Sequence, residues 1–108
     1  MSSGAHIDAK RVLRFDGSLT LPRADAIRSI LAAALDAGAP IAIDCDGATE
    51  VDVSFIQLLL AARRSAAHRG AALALAAPAA GALRAALERG GFLTAASKGG
   101  ASDSDFWG

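Results

Sequence analysis

Ser54 is the residue whose type and position best suit chemistry. It lies in the run Glu50-Val51-Asp52-Val53-Ser54-Phe55-Ile56-Gln57-Leu58-Leu59-Leu60, where a polar stretch gives way to an apolar one. Two readings follow. Ser54 and Gln57 have capping-box spacing, in which the serine hydroxyl accepts from the amide three residues on and the glutamine reaches back. Such a cap needs no further function, and its loss costs about 1 kcal/mol. The same place also suits a modified serine. A helix N-terminus presents unpaired N–H groups and a partial positive charge, which stabilise a phosphate. Phosphorylation would add about −1.5 to −2 charges and three acceptor oxygens. The residues alone leave the cap and the switch both open.

The other reactive side chains are less well placed. Asp44, Asp46, Glu50 and Asp52 cluster within a few positions. Metal binding and paired-carboxylate acid–base work are the chemical options. Their spacing lacks the alternation and glycine of a calcium loop, so a solvated loop with capping acids is expected, forming an acidic rim near Ser54. His6 and His68 are far apart, and Cys45 is the single cysteine, so neither an intrachain disulfide nor a paired-cysteine metal site can form. The chain has no tyrosine, no recognisable nucleophile–base pair and no Gly-rich phosphate loop. The expectation is a protein that is not an enzyme and takes no cofactor or metal. Arg63, Arg64 and Arg69 make a basic helix face, either solvated or complementary to an acidic partner.

The elements that must position Ser54 can be read from periodicity. Arg11-Val12-Leu13-Arg14-Phe15 reads as a strand, Asp16-Gly17 as a turn and Ser18-Leu19-Thr20-Leu21 as a return strand, together a hairpin. Pro22 suits a first helical position. Ile27, Ile30, Leu31, Ala34 and Leu35 then follow at helical spacing until Gly38 and Pro40, predicting a helix over 22–37. Ile41-Ala42-Ile43-Asp44 reads as a buried strand and 45–51 as a loop. A second helix is expected from Ser54 to Arg69, with Phe55, Leu58, Leu59, Ala62 and Ala66 on its apolar stripe. Residues 71–76 read as a strand of weak propensity, and 79–89 as a third helix. The resulting order is β-β-α-β-α-β-α, an α/β sheet covered by helices.

Bulk properties narrow the function. A chain of 108 residues suits one domain. Eleven basic and eleven acidic side chains cancel, so no nucleic-acid surface is expected. The N-terminus, Met1 to Lys10, lacks an apolar stretch of signal-peptide length and no apolar run is long enough to span a bilayer, so a cytoplasmic protein without membrane insertion is expected. Residues 1–6 are expected to be a flexible start, 7–94 the domain, and 95–108 a disordered C-terminal tail ending near Phe106-Trp107.

The ordered combination of these features resembles the STAS family, the anti-sigma factor antagonist type, as a stand-alone domain. The carrying residues are the strand Ile41-Ala42-Ile43-Asp44, Val51-Asp52-Val53-Ser54 opening an apolar helix, and Arg69-Gly70-Ala71-Ala72-Leu73-Ala74-Leu75-Ala76-Ala77-Pro78 before a helix and Gly91-Phe92. The resemblance implies a mixed sheet of about four to five strands with helices mainly on one face. It also implies a bacterial signal-transduction module that acts by protein–protein interaction. Phosphorylatable members carry Asp-Ser-Ser-Gly at this helix start, so Asp52 and Ser54 would be the family acid and the modified serine. Val53 and Phe55 depart from that pattern. Asp52, Val53, Ser54, Phe55, Ile56 and Gln57 would then form the partner-binding segment. The implied partners are an anti-sigma-type serine kinase and a PP2C-like phosphatase. Alternatively, the chain is a non-phosphorylated accessory subunit of an ABC-type transporter, beside its ATPase, or of a signalling complex.

Overall fold

A computed structural model describes residues 11–93 and 106–107 of the chain. The elements run β1 (Arg11–Arg14), β2 (Gly17–Leu19), a 3-10 turn (Leu21–Arg23), α1 (Ala24–Ala37), β3 (Ile41–Asp44), β4 (Ala48–Val51), α2 (Val53–His68), β5 (Leu73–Leu75) and α3 (Gly81–Arg89). The strands form two sheets, β1-β3-β5 and β2-β4. Every described pairing is parallel: Arg11 sits opposite Ile41, Ile41 opposite Leu73, and Leu19 opposite Val51. The α/β class implied by the sequence is therefore present.

The expected hairpin is not. Phe15 donates its amide to the Asp44 carbonyl at 2.9 Å, continuing the β1–β3 ladder, and Gly17 donates to the Gly47 carbonyl at 2.9 Å, opening the β2–β4 ladder. The Asp16-Gly17 turn signal is real, but it marks a step between sheets. Gly17 takes φ +77°, a left-handed backbone that favours glycine. The Arg23 guanidinium stitches this step by donating to the carbonyls of Asp16 at 2.8 Å and Ser18 at 2.9 Å. Gly47 is close-packed against the side chain of the exposed Asp16, which would have to turn aside for a larger residue. A Cβ there would stand 2.1 Å from Asp16 Oδ1.

β4 occupies a stretch expected to be loop. Of its residues only Val51 is buried, so no apolar alternation announces it. Pro22 lies in the 3-10 turn that leads into α1, which starts two residues later than expected. Ile27, Leu31, Ala34 and Leu35 face inward, but Ile30 is exposed. α1 ends where Gly38 adopts φ +82° and returns its amide to the Leu35 carbonyl.

The core joins α1 to Ile41 and Ile43 of β3, to Phe55, Ile56, Leu59, Ala62 and Ala66 of α2, and to Leu83, Ala86 and Leu87 of α3. α1 packs on α2, α2 on β5, and α3 on β4. Phe106 and Trp107 belong to this core, which corrects the expectation that the segment containing them is wholly disordered. Among the described residues no helix is long and apolar enough to cross a membrane.

Candidate functional site

The start of α2 is held by Asp52. Its backbone is extended (φ −116°, ψ −179°), and its carboxylate accepts from the Ser54 amide at 3.0 Å. Asp52 is thus the N-cap, and Ser54 is already inside the helix. This corrects the capping-box reading by two residues. An ionised carboxylate takes the cap because it accepts more strongly than a hydroxyl. The same carboxylate receives the Ser54 hydroxyl, and its second oxygen accepts from the Leu21 amide at 2.9 Å. The Asp52 amide in turn donates to the Leu19 carbonyl at 3.2 Å. One side chain therefore ties the exit of β2 to the entry of α2.

These donors stabilise the charged form. The Ser54 hydroxyl, with the amides of Leu21, Ser54 and Phe55, holds the Asp52 carboxyl below the usual carboxylate range against a smaller opposing effect of desolvation. The corner is supported from behind by Arg89 of α3, which donates to the Val51 carbonyl at 3.1 Å. Beside it, the Ser18 hydroxyl bridges to Glu50 at 3.2 Å across β2 and β4.

The segment 52–57 divides into two faces. Val53 is 54% exposed and Leu21, on the other side of Asp52, is 67% exposed. Gln57 is exposed, and Asp52 and Ser54 are half-buried. Phe55 and Ile56 are each only 1% exposed. The Phe55 ring meets Phe15 edge to face, with centroids 5.6 Å apart. Their side chains belong to the core and cannot serve as direct contacts, which corrects the expectation that both dock on a partner. Sequence pattern does not point to Leu21. It sits next to Pro22 in a segment that reads as a strand end, and only the Leu21–Asp52 hydrogen bond brings it to the site.

The acidic residues do not converge. Asp44 accepts from the Asp46 amide at 2.9 Å and pairs with Arg14 at 3.4 Å, while Glu50 meets Ser18 and Asp52 caps α2. Among the described residues no group of three or more His, Cys, Asp or Glu side chains is placed to hold a metal. Asp44, Cys45 and Asp46 line a shallow cleft against Pro78, Ala79 and Leu83. Burial, with the charges of Asp44 and Asp16, pushes the Cys45 thiol up to about 12, so it is a poor nucleophile near neutrality. His68 lies in the last turn of α2, and His6 falls outside the described residues.

Two parallel β-α-β passages, β1-α1-β3 and β3-α2-β5, place a half-buried serine beside its capping carboxylate at the start of the second helix. A family model described as "Mlab, STAS domain" matches residues 4–94. The chain belongs to the STAS domain family. Comparison with curated proteins and with solved structures returns no match. Membership supports a general role in protein interaction of the anti-sigma factor antagonist kind.

Proposed function

We propose that this protein is a non-catalytic, cytoplasmic binding module that docks on a protein partner through the start of α2, and that phosphorylation of Ser54 weakens the docking. The observation that carries this reading is the exposed pair Leu21 and Val53 on either side of the Asp52–Ser54 corner. Exposed aliphatic side chains beside a hydrogen-bonded acid supply an apolar contact with a charged rim. Glu50 extends that rim with a further charge and Gln57 with a neutral amide, both exposed. A phosphoryl group on Ser54 Oγ would remove the hydroxyl's donation to Asp52 and place a second negative group against that carboxylate. The corner would rearrange, and Leu21 and Val53 with it. A serine kinase of the anti-sigma type and a PP2C-like phosphatase are the partners this reading requires.

The test is affinity capture of the tagged chain from its own cells, read by mass spectrometry for partners and for Ser54 phosphopeptide. Val53→Ser and Leu21→Ser are expected to lose the partner while leaving thermal melts nearly unchanged. Ser54→Asp is expected to weaken binding and Ser54→Ala to keep it. Equal binding by those two Ser54 variants would overturn the switch.

One observation favours a second reading. The Ser54 hydroxyl is already engaged as part of the Asp52 cap, and Val53 stands where phosphorylatable members carry serine. In that case the chain is a constitutive accessory subunit of an ABC-type transporter or a signalling complex. Capture of an ATPase with Ser54 always bare would select it.

A further inference from the structure

The arginines of α2 have different surroundings. Arg69 pairs with Asp36 of α1 at 2.9 Å. The Arg63 guanidinium lies 5.1 Å from the centre of the Phe106 ring, a cation–π contact. Arg64 is exposed and, among the described residues, has no ion-pair or hydrogen-bond partner. Of the basic helix face that the sequence suggests, Arg64 is therefore the member left open to another molecule.

Arg64 stands on the side of α2 that faces away from the core. Phe55, Ile56, Leu59, Ala62 and Ala66 are buried on the other side. Val53, Gln57, Ala61, Arg64 and His68 recur at steps of three and four, so they share one face, and all five are exposed. This stripe begins at the Asp52–Ser54 corner, beside the exposed Leu21 and Glu50. Its start is aliphatic with carboxylates alongside, and its last turns hold a guanidinium and an imidazole. At helical rise, Val53 and Arg64 are about 17 Å apart along the axis.

We propose that the docking surface at the start of α2 continues down this stripe to Arg64 and His68, and that it takes an acidic protein segment. That segment would carry apolar side chains at the Leu21–Val53 end and carboxylates about 17 Å away at the Arg64 end. The inference rests on the docking proposed at the α2 start and adds the partner's chemistry and direction. Charge complementarity is the argument for this occupant. A guanidinium donates to a carboxylate through a planar fork, and His68 offers a ring N–H beside it. Asp52 and Glu50 would repel an acidic segment laid in the reverse sense, so the two ends of the stripe set one direction. Gln57 and Ala61 between them carry no charge. Eleven basic and eleven acidic side chains give the whole molecule no general attraction for polyanions, so the match is local.

Lys10 and Lys98 are the only lysines of the chain, so Arg64→Lys puts an amine on this face and keeps the charge. The tagged full-length variant is captured with its partner from its own cells and treated with a zero-length carbodiimide, which joins amines to carboxylates. Mass spectrometry is expected to find position 64 joined to an Asp or Glu of the captured protein. Arg64→Glu is expected to lower capture at least about tenfold with an unchanged thermal melt, because like charges then face each other. Equal capture by Arg64→Glu and the unaltered chain, or a captured partner with no cross-link at position 64, would overturn the proposal. A cross-link between two copies of this chain would make the stripe a self-contact and overturn it as well. Leu21→Ser and Val53→Ser keep the two readings apart. If they abolish capture and Arg64→Glu does not, the corner docks a partner and the extension fails alone. If Arg64→Glu abolishes capture and they do not, the continuous surface is refuted at the corner. If the unaltered chain captures no partner, both readings fail.

Discussion

Asp52 is a single side chain with three jobs: it caps α2, it receives the Ser54 hydroxyl, and it fixes Leu21. Asp52→Ala is expected to destabilise the fold by about 1 kcal/mol, the usual worth of an N-cap, measured by urea unfolding. Asp52→Asn should retain part of that. The pH dependence follows from the lowered folded-state pKa. The unfolded carboxyl titrates near about 3.9, so Asp52 contributes fully above that pH. Its contribution is lost as pH falls from there through the lower folded value. The gap between the unaltered protein and Asp52→Asn should therefore be constant near neutrality and close only on acidification. A gap that closes between pH 6 and 8 would contradict this assignment. Cys45 gives an independent check. With its thiol raised to about 12, it should react far more slowly with a thiolate-directed reagent at about pH 8 than the same cysteine in urea-denatured chain.

Among the elements, α2 carries both the site and the centre of the core, because its outward face begins at Val53 and its inward face at Phe55. Leu59 is fully buried on it, and Leu87 is fully buried on α3. Leu59→Ala or Leu87→Ala should cost about 2–5 kcal/mol in chemical denaturation. By contrast, the Arg69–Asp36 pair joins α2 to α1 at 2.9 Å but lies on the surface. Asp36→Ala should shift stability by less than about 1 kcal/mol. Gly47→Ala tests the step between sheets. The added methyl meets the Asp16 carboxyl, so the change should destabilise. Unaltered stability would show that Asp16 can move aside freely. The helices are legible in the sequence because Ile27, Leu31 and Leu35, or Phe55, Leu59 and Ala66, repeat at helical spacing. β4 is not, because Thr49 and Glu50 face solvent and alanine at 48 carries little β preference.

At the scale of the whole molecule, the α/β order and the place of Ser54 are legible in the sequence, whereas the pairing of strands is not. Asp16-Gly17 announces a change of direction but says nothing about which strand comes next. The burial of Phe106-Trp107 is equally hidden, since two aromatic residues after a polar stretch look the same whether they fold back or hang free. Both have one physical cause: the deciding contacts join residues far apart in the chain. The all-parallel pairing of the described strands carries that point into kinetics. β1 cannot pair until β3 exists, and β3 meets β5 only after α2 has been laid between them. None of the described strand pairs can therefore form as a local unit, and loop closure over a helix must precede each of these ladders. On the ribosome, the described ladder of Arg11–Arg14 waits until Ile41–Asp44 has emerged, so α1 is already synthesised when that parallel pair can close.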